Sequence, residues 1–301
     1  MGKIIEVKKI NKSFGNKQIL HNVSFSIDSG EILGFIGPNG AGKTTTIKLM
    51  LGLQSIDSGD VIINGCDIKT DFEGAIKRVG AIVESPDLYM YLSGRQNLQL
   101  IANLYKGITK EEINKIVKLV GLQKRIDDKV SKYSLGMRQR LGIAAALIHK
   151  PNVLILDEPT NGLDPEGIKE IRDLLIKLAK EEDMAILISS HNLAELDNFV
   201  TNVCIIKNGK ILSSSEVKEF KKLKNTTYKL EVDSTEGLAE VLGNVCKIID
   251  KDSLELQVEK EEITEYLEKI IKNGKKIYQV VNEELSLEDA FLNKAGGNEI
   301  D

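Results

Sequence analysis

The chain has 301 residues, 42% hydrophobic and 29% charged, with a formal net charge of −4; that length exceeds one small domain, so two domains are expected. Trp is absent and no basic stripe interleaves with aromatic residues, which argues against direct nucleic-acid binding. No apolar stretch approaches the roughly 18–20 residues that cross a bilayer, and Met1-Gly2-Lys3 precedes no signal-peptide core, so a cytoplasmic chain is expected.

Residues 3 to 84 alternate short β-rich runs with turns, a pattern suited to a mixed sheet: Ile4 to Ile10, Val23 to Ile27, Glu31 to Ile36, Asp60 to Ile63 and Arg78 to Val83. A helix interrupts this block over Thr45 to Leu51. Between the apolar run Ile32 to Ile36 and that helix stands Gly37-Pro38-Asn39-Gly40-Ala41-Gly42-Lys43-Thr44-Thr45. It fits Gly-x-x-x-x-Gly-Lys-[Ser/Thr], in which glycines turn backbone N–H groups toward phosphate oxygens, Lys43 reaches the β/γ-phosphates and Thr44 offers a hydroxyl to Mg²⁺. The helix N-terminus adds a partial positive charge on the same side. A nucleoside triphosphate is therefore the expected ligand.

Residues 86 to 147 read mostly as helix, with apolar residues at three-to-four spacing over Gly94 to Tyr105, Lys110 to Val120 and Leu135 to Leu147. From Val153 strand and helix alternate again, through Gly167 to Lys180, Ala185 to Ser189, Leu193 to Phe199, Val203 to Lys207 and Lys210 to Ser213, as in a parallel sheet with crossover helices. The run Val153 to Leu156 ends in the carboxylate pair Asp157-Glu158.

Beyond about residue 225 the order is strand Tyr228 to Val232, helix Gly237 to Leu242, strand Val245 to Asp250, strand Leu254 to Val258, helix Ile263 to Ile271 and strand Ile277 to Val281. That β-α-β-β-α-β order predicts a ferredoxin-like α+β domain over residues 225–292, after a first domain over 1–220. A short helix, Ser286 to Leu292, and a loose tail over 293–301 are expected to follow. Residues 221–301 carry 12 basic and 18 acidic side chains, against 29 and 27 in the rest, so the surplus of negative charge lies here. The cysteines Cys66, Cys204 and Cys246 have no metal-ligand spacing and suit a reducing compartment.

The helical block carries the most discriminating residues. Tyr133-Ser134-Leu135-Gly136-Met137-Arg138-Gln139-Arg140 resembles the signature of ATP-binding-cassette (ABC) ATPases, usually Leu-Ser-Gly-Gly-Gln and a basic tail; Ser134 and Gly136 match, while Tyr133, Leu135 and Met137 depart. Asp157-Glu158, then Pro159-Thr160-Asn161-Gly162-Leu163-Asp164, and Ser190-His191 follow in the family's order. The resemblance covers residues 3 to about 215 and implies a P-loop NTPase cassette of α/β class, a mixed-sheet core with a helical subdomain over about 86–147.

The resemblance also implies roles. Asp157 would hold Mg²⁺, Glu158 would be the general base that polarises water, and His191 would contact the γ-phosphate. Phe14, in Lys12-Ser13-Phe14-Gly15, would stack on adenine. Ser134 and Gly136 would cap ATP bound to a second subunit, in a homodimer or paired cassette with two sandwiched Mg-ATP, and Asp164-Pro165 would lie in the loop that crosses between subunits. The main departure is Glu84, where the family normally places a Gln lid residue that meets Mg²⁺ and the attacking water. A carboxylate there would be repelled by the γ-phosphate unless Mg²⁺ offsets it or its pKa rises. Glu at this position, and the ending Leu285 to Leu292, are similar to the lantibiotic-immunity and bacitracin-type peptide exporters. The expected function is the ATPase subunit of a transporter, held at the inner face of the cell membrane by a separate permease and exporting an antimicrobial peptide or similar amphiphile. The alternatives are export of another substrate, or a non-transport ABC ATPase. The latter usually carries two cassettes or a long coiled-coil insertion, neither of which occurs in these residues.

Overall fold

The computed structural model describes residues 2–197, 199–220, 226–259 and 261–283. The helix expected over Ser286 to Leu292 and the tail after it lie outside the described residues. The chain divides into two compact units between Val217 and Lys218.

The first unit opens with β1 (Lys3–Phe14) and β2 (Lys17–Asp28), long strands in which buried positions alternate with exposed ones, so each presents one apolar face. β3 (Ile32–Ile36) is buried at every residue, as expected of a strand covered on both faces. After α1 (Lys43–Met50) come β4 (Ser58–Ile63), the two-residue β5 (Cys66–Asp67), α2 (Phe72–Ile76) and β6 (Val79–Ile82). The mixed sheet is present and the block feeds two sheets: β1, β2, β4 and β5 form an antiparallel sheet of order β2-β1-β4-β5, whereas β3 and β6 belong to a larger, mixed one. The physical reason is the period. Half-buried alternation in β1 and β2 needs cover on one side, while the uninterrupted apolar run of β3 needs it on both. Helix α2 escaped the sequence reading because five residues carry too little periodicity; Asp71 starts it, its carboxylate accepting from the Gly74 N–H at 3.0 Å.

Between β6 and the next strand lie α3 (Gly94–Ala102), α4 (Lys110–Leu119) and α5 (Leu135–Leu147). Ser93 with Gln96, and Thr109 with Glu112, close reciprocal capping boxes at the first two. β7 (Val153–Asp157), α6 (Pro165–Glu181), β8 (Ala185–Ser190), α7 (Leu193–Leu196), β9 (Asn202–Lys207), β10 (Lys210–Glu216) and α8 (Val217–Phe220) follow. The six-stranded sheet has the order β10-β9-β3-β8-β7-β6, parallel except for β10, which joins β9 antiparallel. Its central strands β3, β7 and β8 are buried throughout. The antiparallel sheet, the parallel sheet and α1 share one core that includes Ile5, Phe25, Phe35, Ile47, Met50 and Ile155; burying each such side chain contributes roughly 1.5–3 kcal/mol. This core fixes the C-terminal ends of β3, β7 and β8 side by side, where an open α/β sheet presents its ligand crevice.

In the second unit β11 (Thr226–Val232), α9 (Leu238–Leu242), β12 (Cys246–Ile248), β13 (Ser253–Val258), α10 (Ile263–Lys272) and β14 (Ile277–Glu283) run in that order. The strands lie β12-β13-β11-β14, each neighbouring pair antiparallel. Tyr228, Leu230, Leu254 and Leu256 of the sheet pack with Leu238, Leu242 and Ile270 of the helices into a core of their own.

Candidate active site

β3 ends at Ile36 in the middle of the parallel sheet and the chain passes through Gly37–Gly42 into α1. The loop is clamped: a Cβ on Gly37 would fall 2.2 Å from the Ile206 carbonyl oxygen, and Gly42 has φ 108°, a conformation that glycine tolerates best. The Gly37 N–H donates to the Ser190 carbonyl at 3.3 Å, tying the loop to the end of β8. No side chain caps α1 at Gly42, so its first-turn N–H groups and helix dipole face the loop. Lys43 is 5% exposed; its ammonium donates to the carbonyls of Gly37 at 2.6 Å and Pro38 at 3.3 Å and pairs with Glu158 Oε1 at 3.2 Å.

The ends of β7 and β8 meet this loop. Asp157 and Ser189 are register partners on the two strands, and Ser189 Oγ donates to Asp157 Oδ1 at 2.5 Å. The other Asp157 oxygen accepts from Thr44 Oγ1 at 2.8 Å. One residue on, the Glu158 N–H donates to Ser189 Oγ at 2.9 Å, and Glu158 itself has φ 49°, a strained backbone conformation that costs about 1–3 kcal/mol. Its Oε2 lies 2.9 Å from His191 Nδ1. Lys43, Thr44, Asp157, Glu158 and His191, scattered over 149 positions of sequence, thus form one connected polar network.

Glu84 sits just beyond β6, also with positive φ (67°). A cleft of about 580 Å³ brings it together with Thr44, Asp157, Glu158 and the side chains of Leu135 and Arg138 from α5. Its partner was not anticipated: Lys48, on α1, donates to Glu84 Oε1 at 2.8 Å. The hydrogen bond and charge of Lys48 hold the Glu84 carboxyl below its usual value, opposite in direction to the upward shift that a phosphate neighbour alone would impose.

The remaining expected residues stand outside this network. Phe14 ends β1 with 49% of its surface exposed, and the Lys12 ammonium lies 5.4 Å from its ring centre. Ser134 N-caps α5, its hydroxyl accepting from the Met137 N–H at 3.3 Å, and Gly136 is half-buried in the first turn. Asp164 caps α6 by accepting from the Gly167 N–H at 3.0 Å. Sequence reasoning missed the roles of Ser189 and Lys48. The serine that breaks the apolar run of a fully buried strand was the available signal for the first.

Among known proteins, the ABC transporter family profile matches residues 20–161. The chain is 46% identical over 296 residues to YhcH of Bacillus subtilis (strain 168), an uncharacterized ABC transporter ATP-binding protein, covering 98% of this chain and 97% of the relative. It is 39% identical over 310 residues to the bacitracin transport ATP-binding protein BcrA of Bacillus licheniformis, covering all of both chains. Among solved structures, the dimeric post-hydrolysis state of the ATP-binding cassette MJ0796 with ADP and Pi matches with a TM-score of 0.63 at 25% identity, over 71% of this chain and 98% of that one.

Proposed function

This chain belongs to the ABC transporter family of ATP-binding proteins, which hydrolyse ATP to power transport, and from that premise we propose that it works as a dimer around two Mg-ATP, driving a separate permease that exports a bacitracin-like antimicrobial peptide or a similar amphiphile. The observation that carries the catalytic part is the network joining Lys43, Thr44 and Asp157 to Glu158 and His191 at the ends of three adjacent strands. Likeness to a dimeric cassette supports the dimer, and likeness to BcrA over the whole chain supports the substrate class. No helix among the described residues is long and apolar enough to cross a membrane; in the proposed reading a separate permease supplies the crossing and this chain sits at its cytoplasmic face.

In this reading ATP enters with its adenine on Phe14 and its phosphates on the loop from Gly37 to Thr45. Lys43 exchanges Glu158 for β/γ-phosphate oxygens, which leaves Glu158 Oε1 without its cation and able to accept a proton from water. His191 orients the Glu158 carboxylate through Oε2 and stands toward the γ-phosphate. No group of three or more His, Cys, Asp or Glu side chains suited to a metal occurs among the described residues, but Mg²⁺ needs none here. Thr44 Oγ1 and Asp157 Oδ2 are hard oxygen donors 2.8 Å apart at the loop, and this cation is ordinarily held by one or two protein oxygens with phosphate and water. Bound there, the cation would neutralise charge that develops on the transferred phosphoryl group. Ser134 and Gly136 reach the nucleotide of the second subunit. Glu84 is assigned as the lid residue between the site and the permease, and would supply a further oxygen toward Mg²⁺ and the attacking water. Residues 225–292 are assigned as a ferredoxin-like accessory domain, on the element order and antiparallel sheet described above.

The test is Glu158→Gln. Removing the base while sparing the phosphate loop lowers hydrolysis by about 10²–10⁴-fold yet keeps ATP affinity, and the variant runs as an ATP-bound dimer on gel filtration. Near-normal steady-state hydrolysis in that variant overturns the assignment.

A further inference from the structure

Glu158 and His191 lie on different loops, so their 2.9 Å contact depends on whatever holds those loops together beyond the strand ends. After β7 the chain turns tightly, the Asn161 N–H donating to the Glu158 carbonyl at 3.2 Å and the Leu163 N–H to the Thr160 carbonyl at 3.1 Å. Thr160, two residues past Glu158, is 3% exposed, and its hydroxyl donates to Glu195 Oε2 at 2.6 Å. The other oxygen of that carboxylate, Oε1, accepts from Asn192 Nδ2 at 3.1 Å. Asn192 directly follows His191. Its side-chain oxygen caps α7 by accepting from the Ala194 N–H at 3.0 Å, and its own N–H donates to Ser190 Oγ at 2.9 Å. One carboxylate therefore fastens the loop carrying Glu158 to the loop carrying His191, with both of its oxygens engaged.

We infer that Glu195 is a positioning residue for hydrolysis, the strap that keeps Glu158 and His191 in register through Thr160 and Asn192. The inference rests on the assignment of Glu158 as base. A buried threonine hydroxyl bonded to a carboxylate is expensive to leave unpaired, so the strap resists opening. Glu158 has a strained backbone that must be held from outside; Ser189 holds it on the strand side, and Thr160 ties down the turn that follows it on the loop side. Releasing the loop-side anchor lets the carboxylate drift relative to the water it activates, whereas the Lys43 contacts to Gly37 and Pro38 stay as they are. The strap thus acts on turnover and leaves ATP binding alone.

The experiment compares full-length Glu195→Ala, Thr160→Val and the double variant with wild type and Glu158→Gln, measuring kcat and KM for ATP and thermal midpoint. A positioning role predicts kcat down about tenfold to a hundredfold in each single variant with KM changed less than about twofold, and a double variant no worse than the poorer single one, because both cut the same strap. Glu195→Gln, which keeps an acceptor for Thr160, recovers part of the loss. Should Glu195→Ala fail to fold, the nearly isosteric Thr160→Val decides alone. If Glu158→Gln is inactive while Glu195→Ala or Thr160→Val keeps kcat within about twofold, or if the two losses multiply, the strap is wrong and the base stands. Normal hydrolysis by Glu158→Gln removes both.

Discussion

Ser189→Ala perturbs the site at its most enclosed point. Ser189 is fully buried, and its hydroxyl serves two bonds at once, donating to the Asp157 carboxylate at 2.5 Å and accepting from the Glu158 N–H at 2.9 Å. Alanine fits the same space, so the change removes the bonds without a clash. Losing a hydrogen bond to a charged acceptor costs about 1.5–3 kcal/mol, and the second bond adds roughly 0.5–1.5 kcal/mol, for a total of about 2–4.5 kcal/mol. In a domain of this size each kcal/mol moves the thermal midpoint by about 2–4 °C, so a fall of roughly 4–18 °C is expected. The effect on rate has a separate origin. The Glu158 backbone, at φ 49°, is held by that N–H bond; once it is free to relax, a displacement of about 1 Å at this proposed base costs on the order of 10²-fold in kcat. KM for ATP changes little, because Lys43 keeps its carbonyl contacts. Differential scanning calorimetry and steady-state ATPase assays over a range of ATP check both. A midpoint within about 1 °C of wild type together with unchanged kcat would refute the reasoning.

Phe14→Ala weakens ATP by about 1 kcal/mol, the worth of one stacked ring, and leaves the thermal midpoint in place because the ring is half exposed; calorimetric titration and a melting curve separate that outcome from a core role, which would lower the midpoint instead. Glu84→Gln keeps basal hydrolysis with a pH profile of the same shape between about pH 6 and pH 9, whereas Glu84→Ala loses more of permease-coupled transport in reconstituted vesicles than of basal hydrolysis. The sign follows from Lys48: Glu84 is held below its usual value, so the ion pair is present above the unfolded carboxyl value and fades only as pH falls through the lower folded one. A wild-type limb near neutral pH that vanishes in Glu84→Gln would show a protonated carboxyl and contradict this, and equal transport in wild type and Glu84→Ala would remove Glu84 from coupling.

Local features were legible where their cause is local. Helix α5 runs over Leu135–Leu147, the span that its apolar spacing predicts, and the phosphate loop follows β3 as the run Ile32 to Ile36 implies. Features that depend on strand pairing were not. Ser189 meets Asp157 only because β7 and β8 pair in the register that sets those two residues opposite each other, 32 positions apart in sequence. The division of the first strands between two sheets depends likewise on which faces are covered, and Lys48 finds Glu84 because α1 and the end of β6 border the same cleft. Only the charge of Lys48 was visible beforehand, one lysine among many.

The backbone brings Glu84 to the cleft that Asp157 and Glu158 line, although glutamate departs from the family's usual glutamine there. β6 and β7 are parallel neighbours with Ile82 paired to Leu156, and two residues past that pair each chain segment carries a glutamate of positive φ, Glu84 at 67° and Glu158 at 49°. Side chains other than glycine adopt that conformation at a cost, and it persists where surrounding contacts enforce it. Glu158 is enforced by Ser189, and its charge meets Lys43; Glu84 meets Lys48, five residues further along the same helix. Each of these two glutamates is thus matched by an α1 lysine. In the proposed reading Lys43 leaves its carboxylate for phosphate, while Lys48, 29% exposed and farther along the helix, is the cation that remains for Glu84. A second acid can then stand beside a polyanion without being protonated, which is the condition that the replacement of glutamine by glutamate had placed in question.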